Sequence, residues 1–380
     1  MNFEKGKILV AMSGGVDSSV AAALLVEAGY EVTGMFAVNY DDSDVATHDE
    51  EYAKSCWVPD YRDALRVAAK LGIPLLKLNF TKEYKELVLD YMYSEYAVGR
   101  TPNPDVMCNR YIKFGVWLDK ARELGFDKLA TGHYATVTLA HEHSSTVAQY
   151  KLRVAKDTNK DQTYFLHQLT QGQLSHVLFP IGDYTKKEIR ELAKKFDLPT
   201  AEKEESMGIC FVGEVDMKTF LQDKIGDKVQ EGNIIFSDGT ILGQHEGLAL
   251  YTIGQRHVGV ESGKIKGTHG DTRPLFVVDK RLDTDELVVG YEDDPLLWRR
   301  EAHVLDMHWI SGREPLFPLQ CEVRLRHRQK MQNAQITRAR QHDSTTALLI
   351  DFDEPQRAVT PGQFAVLYKD DECLGGGVVI

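Results

Sequence analysis

The chain has 380 residues, 43% of them hydrophobic, and a net charge of −12, so two or three domains with real cores are expected. No run approaches the roughly 20 apolar residues of a membrane span, and Met1 to Gly6 lacks the apolar core of a signal peptide; the expectation is a cytoplasmic protein without membrane contact. Five cysteines, at 56, 108, 210, 321 and 373, are an odd, sparse set with no CxxC pair, which argues against a disulfide scaffold or a structural zinc site.

In chain order, residues 7–12 (KILVAM) predict an apolar strand and 17–29 a helix stopped by Gly29. Residues 30–38 (YEVTGMFAV) predict a second strand, 60–72 a helix ending at Gly72, and 74–80 (PLLKLNF) a third strand. Helical stretches at 81–98 and 111–125 flank TPNPDVMCNR (101–110), where two prolines predict a stiff, non-helical segment over 101–105. A fourth strand follows at 128–133 (KLATGH). Strands alternating with helices imply an α/β, doubly wound parallel sheet, whose ligands bind beyond the carboxyl ends of the strands. The pattern changes near 215. A glycine-rich stretch spans 228–260, and short alternating strands from about 300 onward predict a small β-barrel. The domain reading is 1–215, a small central domain at 216–298, and a C-terminal barrel at 299–380.

SGGVDSS (13–19) joins the first strand to the first helix. Small residues there let backbone N–H groups converge on an anion at a helix N-terminus. It is no Walker A loop, because no lysine follows Gly15; the plain alternative is a glycine turn with an Asp or Ser helix cap. The acidic total argues against nucleic acid, but the charge is uneven. Residues 41–51 carry six acids, whereas 322–340 carry Arg324, Arg326, Arg328, Lys330, Arg338 and Arg340 against Glu322. If the strand alternates regularly, Arg324, Arg326 and Arg328 share one face, either solvated or set against RNA phosphates.

SGGVDSS resembles the PP-loop of ATP pyrophosphatases. With TPNPDVMCNR, TGHYA (131–135), NKDQTYFL (159–166), SMGICFVG (206–213), YTIGQRHVG (251–259), VTPGQFAV (359–366) and CLGGG (373–377), the chain resembles the bacterial tRNA-specific 2-thiouridylases over essentially its whole length. The resemblance implies an ATP- and Mg2+-dependent sulfurtransferase. It would adenylate C2 of the wobble uridine in lysine, glutamate and glutamine tRNAs, and take sulfur from a cysteine desulfurase or a relay protein. It also implies the roles. Ala11, Met12, Ser13, Gly14, Gly15, Val16, Asp17, Ser18, Met35 and Gly132 would hold the nucleotide, with Asp17 at the metal. Cys108 would be the nucleophile and Cys210 the persulfide carrier, a pair able to end as a disulfide. Asp105 would be the general acid/base. Asn103, Pro104, Asp105, His133, Lys160, Asp161, Gln162, Arg326, His327 and Gln363 would contact tRNA. Arg110 and His133 are candidates for activating the Cys108 thiol, and Cys56, Cys321 and Cys373 match no catalytic position. Two other readings stand beside this one. A PP-loop ligase for a small molecule needs neither two cysteines nor a basic barrel, and a non-catalytic tRNA binder needs neither Asp17 nor Cys108.

Overall fold

The structure is a computed structural model and describes residues 6–41, 57–140, 149–204, 220–221, 224–226, 229–260, 273–339 and 347–380. Cys56, Cys210, Arg340, the 206–213 motif and the acidic stretch beyond Asp41 lie outside the described residues.

Strands β1 (Lys7–Ala11), β2 (Glu31–Val38), β3 (Leu75–Asn79) and β4 (Lys128–Ala130) follow the expected order. The hairpin β5 (Thr136–Ala140) and β6 (Gln149–Arg153) comes next, then β7 (Val177–Leu178). The parallel sheet is ordered β3-β2-β1-β4-β7. Its order reverses between β1 and β4, so the loops after these two strands bound the switch-point crevice. Period-two alternation feeds a core on each face. Leu9, Met35 and Leu129 face one way; Ile8, Val10, Val32 and Phe36 face the other, against α1 (Val16–Glu27) and α2 (Val58–Leu71). The run Ala21–Ala23 keeps α1 slim where it is buried.

The central domain is a four-stranded sheet of β8 (Gly232–Phe236), β9 (Ile241–His245), β10 (Phe276–Arg281) and β11 (Glu286–Gly290), ordered β10-β11-β8-β9. Six strands then follow: β12 (Trp298–Trp309), β13 (Leu319–Arg324), β14 (Gln332–Arg338), β15 (Leu348–Arg357), β16 (Phe364–Lys369) and β17 (Glu372–Val379). They close into a barrel because β12 pairs with both β15 and β17.

Two expectations change. The stiff segment is shorter than the prolines suggest. A helix starts at Pro104 and runs to Glu123, so Asp105 lies in its first turn. Proline at the first helical position loses no needed N–H, and Asn103 caps the start by accepting from the Val106 N–H at 3.3 Å. The expected arginine face is also absent. Strand β13 ends at Arg324, whose side chain is buried, and the chain then turns, with Arg328 at a φ of 63°.

The barrel is stitched to the first domain. The β5–β6 hairpin extends the barrel sheet by pairing Leu152 with Cys373 and Arg153 with Glu372. The core on one face of the parallel sheet runs on into Ile310, Phe364, Val366 and Tyr368 of the barrel.

Candidate functional site

Loop 13–15 is built to leave donors unused. Gly15 is the N-cap of α1 and supplies no side-chain cap, so first-turn N–H groups of the helix stay available for an anion. The expected alternative, an Asp or Ser cap, does not occur. Ser18 and Ser19 instead turn their hydroxyls to the Gly15 carbonyl, at 3.2 and 2.7 Å, and the Ser18 oxygen also receives the Ser13 N–H. Gly14 has a φ of 77°, and a Cβ there would meet the Asp60 carbonyl at 2.3 Å. Gly132, after β4, lies against the same helix start; a Cβ on it would fall 2.7 Å from the Ser18 nitrogen. Thus Ala11 through Ser18 and Gly132 form one cradle at the switch point.

Asp17 accepts from the Tyr134 hydroxyl at 2.9 Å and pairs with Lys186 at 2.7 Å. Lys186 is mostly buried and opens the helix Lys186–Lys195, whose start is fixed by the Thr185/Glu188 capping box. Among the described residues no cluster of three metal-ligating side chains occurs. Met35 is fully buried, and its carbonyl accepts the Met12 N–H at 2.8 Å. Its side chain is core, and its backbone is engaged within the sheet between β1 and β3.

The 104–123 helix carries Asp105 and Cys108. It runs antiparallel to the strands. Asp127 just past its end bonds the Lys7 carbonyl at the start of β1, while the Trp117 indole reaches back to Asn39 beyond β2 at 3.3 Å. Its N-terminus, with Asp105 and Cys108, therefore projects beyond the carboxyl edge, on the same end of the sheet as the cradle. Cys108 is fully buried and Asp105 half-buried. From Cys108 to Val116 the helix is in π register, a local widening that often marks function. Arg110 does not stand free beside the thiol: it donates to Gln168 at 2.9 Å. His133 is buried, and burial, followed by the Lys113 charge, holds its pKa well below 6.5. It is therefore neutral and supplies no positive charge to a thiolate.

The other expected residues gather along the seam between sheet and barrel, mostly with their side chains in use. Gln363 donates to the carbonyls of Thr101 and Pro102, at 2.8 and 3.1 Å, and meets Asn103 at 3.5 Å. It holds the segment leading into the 104–123 helix. Asp161 is buried and pairs with Arg324 at 2.6 Å while accepting from Thr163 at 2.7 Å. Gln162 accepts from the Tyr134 N–H at 2.9 Å. Arg326 donates to Ile253, Ala358 and Thr360, joining central domain and barrel. His327 packs on Phe165 with ring centroids 4.5 Å apart and the planes tilted by 37°, and burial lowers its pKa to about 4. Lys160 and Pro104 remain partly exposed. Cys321 and Cys373 are buried, the former pushed up to about 12 by burial.

Three family models match consecutive parts of the chain: the tRNA methyl transferase HUP domain over residues 6–214, the tRNA methyl transferase PRC-barrel domain over 218–291, and the aminomethyltransferase β-barrel domain over 299–379. The chain is 45% identical to the tRNA-specific 2-thiouridylase MnmA of Shouchella clausii, over 99% of this chain and 97% of that one. It belongs to the tRNA-specific 2-thiouridylase family. The Streptococcus mutans member is 46% identical over 99% of this chain and 95% of its own. A solved 4-thiouridine synthetase–RNA complex with bound ATP is 19% identical, over 58% of this chain and 51% of that chain, with a TM-score of 0.35; that likeness carries no argument here. Family membership sets aside the small-molecule ligase and the non-catalytic binder.

As a family member the chain holds residues that its motifs did not single out. Lys186 and Tyr134 meet on Asp17, and Tyr164 donates to the Leu325 and Phe364 carbonyls across the seam. A T-x-x-E capping box marked the helix at Lys186, but nothing local says that this lysine reaches Asp17.

Proposed function

We propose that this chain uses ATP to activate C2 of the wobble uridine in tRNA and replaces its oxygen with sulfur. One arrangement carries the reading: the uncapped phosphate loop and the N-terminus of the Cys108 helix share one edge of the sheet, in a chain whose relatives bear the name tRNA-specific 2-thiouridylase. Adenylation and thiol chemistry then have one meeting place.

Uridine O2 attacks the α-phosphorus of ATP. The new O–P bond forms, the α–β bridge breaks, and pyrophosphate leaves with the electron pair. The N3 proton departs to Asp105, which lies in the first helical turn. Oxide is a poor leaving group and AMP a good one, so C2 is now open to sulfur. Cys210 carries the persulfide. Its outer sulfur bonds to C2 and the C2–O bond breaks with its pair on AMP. The Cys108 thiolate then attacks the inner sulfur, the S–S bond breaks with its pair on the outer sulfur, and Asp105 returns the proton to N3, so 2-thiouridine leaves and the two cysteines end as a disulfide. Because the target base is reached only outside its stack, Asn103 and Pro104 are assigned to the pocket wall. Lys160, Phe165 and His327 offer a cation and an aromatic platform to the RNA. Asp161, Gln162, Arg326 and Gln363 act by holding these elements in place.

Mg2+ typically takes one or two carboxylates and leaves the rest of its shell to phosphates and water; Asp17 beside the cradle fits that demand, and the ion would neutralise the departing pyrophosphate. The persulfide would come from a cysteine desulfurase or relay protein in the cytoplasm, and the acceptors would be lysine, glutamate and glutamine tRNAs. Purified chain with ATP, Mg2+, a persulfide source and unmodified tRNA should yield 2-thiouridine, AMP and pyrophosphate in equal amounts. Absence of sulfur in the tRNA, or full activity in Cys108→Ser, refutes the assignment.

A further inference from the structure

Lys113 lies on the Cys108 helix, five residues past the thiol. In an α-helix that spacing turns the two side chains about 140° apart. In the π register of Cys108–Val116, hydrogen bonds run from i to i+5 and bring such residues much closer to one face. Two contacts fix where that face points. Lys113 Nζ lies 3.4 Å from Nε2 of His133, the third residue after β4 ends at Ala130, next to Gly132 of the cradle. One turn on, Trp117 is tied to Asn39, beyond the end of β2. Strands β2 and β4 are the two neighbours of β1, and β1 ends in the phosphate loop. The ammonium is therefore held between the strand ends on either side of that loop, above the edge where α-phosphate and uridine O2 must meet.

The support for Lys113 is itself built. A lysine only donates, so His133 Nε2 accepts and the ring proton sits on Nδ1, which donates to Thr131 Oγ1 at 2.6 Å. Phe114 and Phe179 pack on the imidazole with centroids 5.6 and 5.9 Å away. The Gln173 amide holds the Phe114 carbonyl at 2.7 Å. Burial keeps the imidazole neutral, so it orients the ammonium and adds no second charge.

We propose that Lys113 is a catalytic cation that binds the α-phosphate, with His133 as its positioning residue. The inference rests on the adenylation reading above. Lys113 transfers no proton. It offsets negative charge that builds on the α-phosphate as pyrophosphate leaves, and again as AMP leaves C2, the kind of preorganised electrostatic help that dominates many active sites.

The test is single-turnover pyrophosphate release by the full chain with saturating ATP, Mg2+ and unmodified tRNA, beside 2-thiouridine formation. In Lys113→Met, release should slow by about 100-fold or more, with the apparent ATP affinity changed less than about threefold and thermal melting unchanged. Lys113→Arg, which keeps the charge, should stay within about tenfold of the parent. His133→Ala should fall between them and be partly rescued in His133→Gln, whose amide oxygen can accept from Lys113. Release within threefold of the parent in Lys113→Met overturns the proposal. So does a folded Lys113→Arg as slow as the methionine variant, and this arm decides alone if Lys113→Met does not fold. A parent enzyme that releases no pyrophosphate in response to tRNA would instead defeat the adenylation reading itself.

Discussion

Replacing Arg324 with methionine should loosen the barrel from the sheet domain, and the magnitude follows from the pair it forms. Arg324 Nη1 lies 2.6 Å from Asp161 Oδ2, with side-chain exposures of 8% and 0%. At that distance and an effective dielectric of 20, the attraction is about 6 kcal/mol. Desolvating two ions offsets several kcal/mol of this, so the intact pair contributes little net stability. Removing one partner is different, because Asp161 stays buried with its charge and costs about 3–5 kcal/mol. Thr163 and the Ala155 N–H still donate to the carboxylate, at 2.7 and 3.1 Å, which puts the expectation at the lower end. Urea unfolding followed by tryptophan fluorescence reads this out. With slopes of about 1–3 kcal/mol per M, the midpoint should drop by on the order of 1–3 M. The double variant Asp161→Asn with Arg324→Met should recover most of the loss, since no unpaired charge remains. A midpoint for Arg324→Met within about 0.3 M of the parent refutes the reasoning, as does a double variant no better than the worse single one.

Gly132→Ala should cut ATP affinity at least about tenfold, roughly 1.4 kcal/mol, because its Cβ would press on the backbone of Asp17 and Ser18; nucleotide titration with circular dichroism as a fold control checks it. Gln363→Leu strands the Thr101 and Pro102 carbonyls, and at about 1–3 kcal/mol per unmet buried group it should lower the rate of sulfur transfer about tenfold while leaving the ATP KM in place. Burial lowers the pKa of His167 to about 3, whereas the unfolded residue titrates near 6.5. Between those values the unfolded state binds a proton that the folded state refuses, so stability is intact above pH 6.5 and falls by about 1.4 kcal/mol per pH unit below it. Melting curves at pH 7, 6 and 5 should show that decline, and His167→Gln should flatten its slope by one proton.

The parallel sheet was legible because its cues are local. Each strand is a short apolar run, each helix ends at a glycine, and an alternating order leaves few topologies. The barrel was legible from alternation for the same reason. The 101–105 segment was misjudged because proline looks like a breaker when read alone. At the first turn it is a starter, and the Asn103 cap three residues before Val106 was the signal available. The arginine face was misjudged because alternation was extended through a turn that begins right after Arg324.

What no local pattern carries is partnership across the seam. The motifs around Asn103, Asp161, Arg326 and Gln363 come from distant parts of the chain, and each reads on sequence as a polar residue waiting for a ligand. In the fold they find one another first: Gln363 with Thr101, Pro102 and Asn103, Asp161 with Arg324, and Arg326 with Ile253 and Thr360. A buried polar group must be paired, so these residues satisfy the seam whether or not RNA is bound. Their role in recognition is then indirect. They tie the barrel to the 104–123 helix, and in the function proposed above that spacing would govern whether a bound base reaches Asp105 and Cys108. In the function proposed above, the tRNA-facing side chains are Lys160, Phe165 and His327. Substitutions there should raise the tRNA KM, whereas substitutions in the paired set should lower stability and kcat together.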